Sequence, residues 1–301
     1  MRADVENSTP REIVVISGKG GTGKTSLAAS FAVLARDAVI ADCDVDAADL
    51  HLILKPSVLE RHEFTGGNEA VIRLDDCTGC GLCRELCRFG AVMACEGEPA
   101  PPVYRIDPVA CEGCGVCVRF CPARAIDFPE RTCGSWMVSK TRCGPLVHAQ
   151  LGIAAENSGK LVTLVRQEAR RIATGTGSPL IIVDGPPGIG CPVIASLSGA
   201  SMMVAVTEPT VSGEHDLERV LSLAGHFGVP ASVCVNKWDL NPDMALRIED
   251  HARRAGARVM GRIRYDRSVT GAQMQELSAV ETDSGAGRDI REIWKQLHTE
   301  E

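Results

Sequence analysis

Aromatic residues are scarce in this 301-residue chain: they make up 4% of it, as six Phe, three Trp and two Tyr. The core must therefore be built from Val, Ile, Leu and Ala, a mix suited to a parallel sheet covered by helices on both faces. No long basic block is present and the formal net charge is −7, which argues against a dedicated nucleic-acid surface. Apolar runs such as MMVAV are too short to cross a bilayer. The opening stretch, MRADVENSTPRE, lacks the apolar centre of an export signal, so a cytoplasmic protein with no membrane span is expected. A chain of this length needs no disulfide staples. Its fourteen cysteines are therefore candidates for metal ligation.

Apolar strands alternate with helical patterns along most of the chain. EIVVIS (12–17) reads as a strand, KTSLAASFAVLAR (24–36) as a helix and AVIADCD (38–44) as a second strand ending in carboxylates. KLVTLV (160–165) reads as a strand followed by a helix, and further strands are expected at 180–184, 202–207, 231–236 and 257–263. The alternation implies right-handed crossovers and a largely parallel sheet. Residues 60–145 differ, being rich in Cys, Gly and Pro, and read as an insertion.

GKGGTGKT (18–25) fits G-x-x-x-x-G-K-[ST] with a strand before it and a helix after it. Gly18, Gly20, Gly21, Thr22, Gly23 and Ser26 belong to a loop and helix start whose N–H groups can cradle phosphates. Lys24 is placed to neutralise the terminal phosphates and Thr25 to ligate Mg²⁺. The additional Lys19 gives K-G-G-x-G-K-[ST], which resembles the deviant Walker A motif of the ATPase superfamily containing MinD, ParA, Mrp-type proteins and the nitrogenase iron protein. That resemblance implies that Lys19 reaches across an ATP-dependent homodimer to the partner's nucleotide.

Two further segments extend it. ADCDVDAADLH (41–51) resembles switch I, with Asp44 as the water-orienting or Mg²⁺-linked carboxylate; Asp42, Asp46 and Asp49 read as capping or solvated. IIVDGPPGIG (181–190) resembles Walker B and switch II, with Asp184 on Mg²⁺. VNKWD (235–239) resembles a base-recognition segment in which Asn236, followed by Lys237, contacts adenine. Guanine selection by Asp239 is the rival reading.

Cys77, Cys80, Cys83 and Cys87, then Cys111, Cys114, Cys117 and Cys121, both follow C-x₂-C-x₂-C-x₃-C. This duplicated spacing matches the bacterial two-cluster ferredoxin pattern, in which the fourth cysteine of each run serves the other cluster. Cys77, Cys80, Cys83 and Cys121 would hold one [4Fe–4S] cluster, and Cys111, Cys114, Cys117 and Cys87 the other. Four-cysteine zinc sites are the alternative, since they also use C-x₂-C pairs, but they rarely need the x₂-x₂-x₃ run and still less its duplication. Arg88 stands where Pro122 follows the second run, which alters a turn and no ligand. Cys43, Cys95, Cys133, Cys143 and Cys234 read as small buried hydrophobes. Cys191 reads as packing, with a redox contact or bridging ligand as the alternative, and His215 and Asp216 as local hydrogen-bonding residues.

The whole arrangement resembles MinD-superfamily ATPases with an inserted ferredoxin domain. It implies an α/β P-loop NTPase over 1–59 and 146–301, and an inserted α+β ferredoxin-like domain over 60–145. The leading expectation is an ATPase coupling dimer closure to electron transfer toward a redox partner or a related ATPase. An iron–sulfur carrier or assembly ATPase is one alternative, weakened because no C-x₂-C pair follows residue 121. A MinD/ParA-like positioning ATPase is the second. RDIREIWKQLHTEE (288–301) places Ile290, Ile293, Trp294 and Leu297 on one face but ends acidic, which points to core packing rather than membrane binding.

Overall fold

The computed structural model describes residues 9–95, 102–152 and 158–298. The opening residues 1–8, part of the cysteine-rich segment (96–101) and the acidic end at 299–301 lie outside them. Two compact units emerge: one formed by the chain to His62, Ser135–Leu151 and the chain from Ser158, the other by Glu63–Gly134 together with Gly152.

A nine-stranded sheet organises the first unit, and the ends of two of its strands, Glu63–Asn68 and Glu130–Gly134, belong to the second. Its strands are β1 (Arg11–Ser17), β2 (Val39–Asp42), β3 (Ser57–Asn68), β8 (Glu130–Thr141), β9 (Gly144–Leu151), β10 (Leu180–Pro187), β11 (Met202–Thr207), β12 (Ala231–Asn236) and β13 (Arg258–Ile263). The order is β13-β12-β11-β1-β10-β2-β9-β8-β3. All pairs from β13 through β9 are parallel. The central strands are continuous apolar runs because both faces are covered: Ile13, Val14, Val15 and Ile16 of β1 are all 0% exposed.

Helices α1 (Lys24–Ala35), α2 (Leu50–Leu54), α5 (Ser158–Thr176), α6 (Cys191–Leu197), α7 (Val211–His226), α8 (Pro242–Arg254), α9 (Ser268–Gln273) and α10 (Gly285–His298) accompany this sheet. Helix α10 buries Ile290, Ile293 and Leu297, and Trp294 lies 5.1 Å from the Phe31 ring of α1. Its apolar stripe is core. No helix among the described residues is long and apolar enough to cross a membrane.

Two sequence expectations are corrected here. KLVTLV is not a strand; it opens the nineteen-residue helix α5, whose buried residues Leu161, Val162, Val165, Ala169 and Ala173 recur at helical spacing. The β-branched residues favour a strand locally, and the helical period wins once the window extends past Arg166. The insertion is also narrower than 60–145. Ser57–His62 and Ser135–Leu151 belong to the first unit, where β9 pairs in parallel with β2.

The second unit contains two short antiparallel pairs, β4 (Val71–Ile72) with β7 (Ile126–Asp127) and β5 (Val92–Ala94) with β6 (Tyr104–Ile106). It also contains two five-residue helices, α3 (Leu82–Leu86) and α4 (Val116–Phe120). Its buried cluster consists of Ala70, Ile72, Val92, Tyr104 and Ile126.

Candidate functional site

The carboxyl ends of β1, β10 and β2 bring the sequence-singled residues together. In a doubly wound sheet, that is where ligands bind. The glycine-rich loop leaves β1 and enters α1 at Lys24, with Gly23 in the left-handed region at φ 90°. A Cβ on Gly23 would lie 2.3 Å from the Asn236 amide nitrogen, so this glycine is required twice over.

Lys24 is buried and lies between carboxylates. Its Nζ is 2.6 Å from Asp184 Oδ1 and 3.2 Å from Asp44 Oδ2. Burial pulls its pKa down, but Asp184 and Asp44 outweigh burial and the net shift is upward. Burial raises the Asp44 carboxyl, and the attraction of Lys24 only partly offsets it.

Asp42 is neither a cap nor solvated, contrary to the sequence expectation. It is 0% exposed and is the register partner of Asp184 on the neighbouring strand. Burial, then the facing Asp184, push its carboxyl well above the usual range. Only its Oδ1 has a partner, accepting the Asp44 N–H at 3.2 Å. Asp42 Oδ2, Asp184 Oδ2 and Thr22 Oγ1 are buried without hydrogen-bond partners among the described residues. Buried carboxylate oxygens left unpaired are costly. With the Thr25 hydroxyl next to Lys24 Nζ at 3.4 Å, this all-oxygen donor set fits a hard divalent cation such as Mg²⁺. Asp46 and Asp49 are exposed.

Lys19 extends toward the start of α7. Its Nζ lies 3.0 Å from Ser212 Oγ, 3.5 Å from Thr210 Oγ1 and 3.8 Å from Glu208 Oε2. Glu208 also pairs with Lys237 at 2.5 Å. Asn236 is committed to the loop: Nδ2 donates to the Thr22 carbonyl at 2.7 Å and Oδ1 accepts the Lys237 N–H at 2.9 Å. Asp216 packs on Gly18, where a Cβ would come within 2.4 Å of its own. His215 is exposed.

A cavity of about 570 Å³ runs from Gly20–Ser26 and Asp44 to Asn236 and Lys237, then on to Ile263–Asp266, Val269, Thr270 and Gln273. This far lobe carries no sequence motif and was not read from the sequence. The Gln273 amide links it to the start of α1, donating to Ser26 Oγ at 2.8 Å. The volume lies within the usual range of small-molecule sites.

The cysteines form a separate constellation in the second unit. Cys77, Cys80, Cys83 and Cys121 line one small cavity together with Ile72, Tyr104 and Ile126. Cys117 lies within electrostatic reach of Cys111, Cys114 and Cys83. Cys87 packs against the same apolar cluster as Cys77, Cys83, Cys111, Cys117 and Cys121. Burial raises the Cys83 and Cys117 thiols. Gly81 and Gly115, at equivalent points of the two runs, are left-handed at φ 77° and 70° and lead into α3 and α4. Among the described residues, no three His, Cys, Asp or Glu side chains converge on a single metal ion. In a [4Fe–4S] cube each thiolate binds its own iron, so the sulfurs surround a group instead of meeting at a point. The all-thiol donor set fits such a group.

Of the other cysteines, Cys43, Cys133, Cys143 and Cys234 are buried, Cys95 is half-buried and Cys191 is exposed. Burial raises the thiols of Cys43, Cys143 and Cys234, consistent with inert packing.

Parallel strands, a phosphate-cradling loop and carboxylates at the strand ends define a P-loop nucleotide-binding protein. The chain belongs to the CobQ/CobB/MinD/ParA nucleotide binding domain family, which matches residues 13–279. It is 32% identical to the Methanocaldococcus jannaschii protein MJ0578 over 233 residues, 76% of this chain and 79% of that one. Its fold is similar to MinD of Pyrococcus horikoshii complexed with Mg-ADP (TM-score 0.59, 16% identity, 96% of each chain). It is also similar to a variant of Cyanothece McdA complexed with ATP (TM-score 0.58, 15% identity, 96% of each chain).

Proposed function

We propose that this chain hydrolyses ATP with Mg²⁺ in a switch-like, dimer-forming cycle, and that its second unit is a ferredoxin-like module holding two [4Fe–4S] clusters that pass electrons to a partner protein. The observation that carries this reading is the presence on one chain of both the P-loop carboxylate site and the duplicated cysteine runs, the latter gathered around the small apolar cluster of the second unit. The Mg-ADP and ATP complexes of the structural relatives favour an adenine nucleotide here.

In this reading the loop N–H groups and Lys24 hold the phosphates. Thr25, Asp42 and Asp184 hold the cation, which supplies charge neutralisation on the phosphate oxygens. Asp44 orients the attacking water. Lys19 leaves Ser212 and Glu208 to reach the partner's nucleotide. Cys77, Cys80, Cys83 and Cys121 hold one cluster; Cys111, Cys114, Cys117 and Cys87 hold the other.

A second reading, a MinD/ParA-type positioning ATPase, is favoured by the family match and by the named functions of the structural relatives, which fit it more closely than they fit electron transfer. The two readings share the ATPase site and part at the cysteines. The experiment measures ATP turnover, iron and acid-labile sulfide on anaerobically purified wild type and Lys19→Ala. The redox reading expects about eight irons per chain in both, with turnover and ATP-dependent dimerisation lost only in Lys19→Ala. Turnover without iron or sulfide would leave the positioning ATPase.

A further inference from the structure

The base end of the cavity is where the sequence leaves adenine and guanine both open, through Asp239. That residue closes the VNKWD segment, the place at which a carboxylate would receive the two N–H donors of a guanine edge. In the structure it does not line the cavity. Lys237 takes a left-handed conformation at φ 54° and a single turn follows over Trp238–Leu240. Asp239 Oδ1 then accepts the Tyr265 N–H at 2.7 Å.

Tyr265 does line the cavity, between Arg264 and Asp266. Each of these three residues is tied by a carboxylate. Asp289 accepts the Arg264 N–H at 3.0 Å and receives its guanidinium through two bonds of 2.7 Å. Asp239 takes Tyr265. Asp266 itself accepts the Ser268 N–H at 2.9 Å and hydroxyl at 2.6 Å, and the Ala286 N–H at 3.3 Å. Those donors hold the Asp266 carboxyl down at about 2. All three carboxylates, Asp239, Asp266 and Asp289, thus accept hydrogen bonds from the protein itself. Beside them the cavity wall includes Ile263, Val269, Thr270 and Tyr265, and an aromatic ring such as that of Tyr265 can stack on a base.

We propose that Asp239 is a positioning residue that sets the base-side wall by holding the Tyr265 amide, and that it does not itself read the base. This rests on the ATPase reading above.

The test compares Asp239→Asn, which keeps an oxygen to accept the Tyr265 N–H, with Asp239→Ala, which does not. Calorimetric titration with ATP, GTP, XTP and inorganic triphosphate supplies the readout. Asp239→Asn should keep ATP affinity within about twofold, and Asp239→Ala should weaken it by about tenfold, the cost of one lost hydrogen bond. Inorganic triphosphate, which lacks a base, should bind all three proteins alike; this also shows that the variants are folded. A switch from GTP toward XTP in Asp239→Asn would make Asp239 a base reader and overturn the proposal. Unchanged ATP affinity in Asp239→Ala would overturn the positioning role while leaving the ATPase reading intact. Wild type that binds neither ATP nor triphosphate would remove both.

Discussion

Replacing Lys24 by alanine is expected to lower ATP turnover by about 10²–10³-fold, the scale of losing a preorganised group aimed at developing phosphate charge. The same substitution should also destabilise the folded chain. Lys24 is the cation between Asp184 and Asp44, and Asp42 stands beside them fully buried. Breaking a buried ion pair by removing one partner costs about 3–5 kcal/mol because a charge is left uncompensated.

The penalty should depend on pH, with a definite sign. The Asp42 and Asp44 carboxyls already sit above their ordinary values in the folded protein, and removing Lys24 raises them further. A group with a raised folded pKa contributes stability below its unfolded pKa and loses it as pH rises. The melting-temperature gap between wild type and Lys24→Ala should therefore be widest near neutrality and narrow as pH falls toward the ordinary carboxylate range. Thermal melts across that range, run beside a turnover assay, check both halves. Retained turnover would remove Lys24 from the phosphate site, and a gap that widens on acidification would contradict the carboxylate account.

The second large effect concerns the cysteine unit. Among the described residues its main buried apolar cluster is the small set Ala70, Ile72, Val92, Tyr104 and Ile126, and its helices α3 and α4 have five residues each. Helices that short have no stability of their own. Units with so small a core usually depend on metal or disulfides. Oxidative removal of iron followed by chelation should leave the ATPase unit folded and able to bind ATP, while residues 63–134 become open to protease. Cleavage mapped by mass spectrometry is the readout. Equal protease resistance before and after iron removal would show that metal does not hold the unit together.

Much of the nucleotide site was legible because its motifs sit at fixed places on a strand and a helix. The run Ile13–Ile16, the loop to Thr25 and Asp184 after Ile181–Val183 could be placed from apolar runs and loop chemistry alone. Asp42 could not. Four aspartates fall within 42–49, and only the strand register opposite Asp184 separates Asp42 from the exposed Asp46 and Asp49. The base lobe was hidden for a similar reason. Tyr265 and Asp266 belong to no motif, and tertiary hydrogen bonds, donated by Tyr265 N–H to Asp239 and by Ala286 N–H to Asp266, put them in place. Strands β3 and β8 went unread because the cysteine-rich composition around them masked the pattern. Residues 57–63 of β3 are exposed throughout, so no apolar alternation marks that strand. Helix α5 was misread because residues 160–165, near its start, form a strand-like run and its period shows only over a longer window.

The central claim is that one chain joins a P-loop ATPase site to a pair of iron–sulfur clusters whose properties respond to the nucleotide. EPR of the dithionite-reduced, anaerobically purified protein, recorded with and without MgATP, tests it most directly. The account predicts signals from two reduced [4Fe–4S] clusters whose shape or potential changes when MgATP is added, with no change in the Lys24→Ala variant. A spectrum without such signals, or one that MgATP leaves unchanged in wild type, would contradict it.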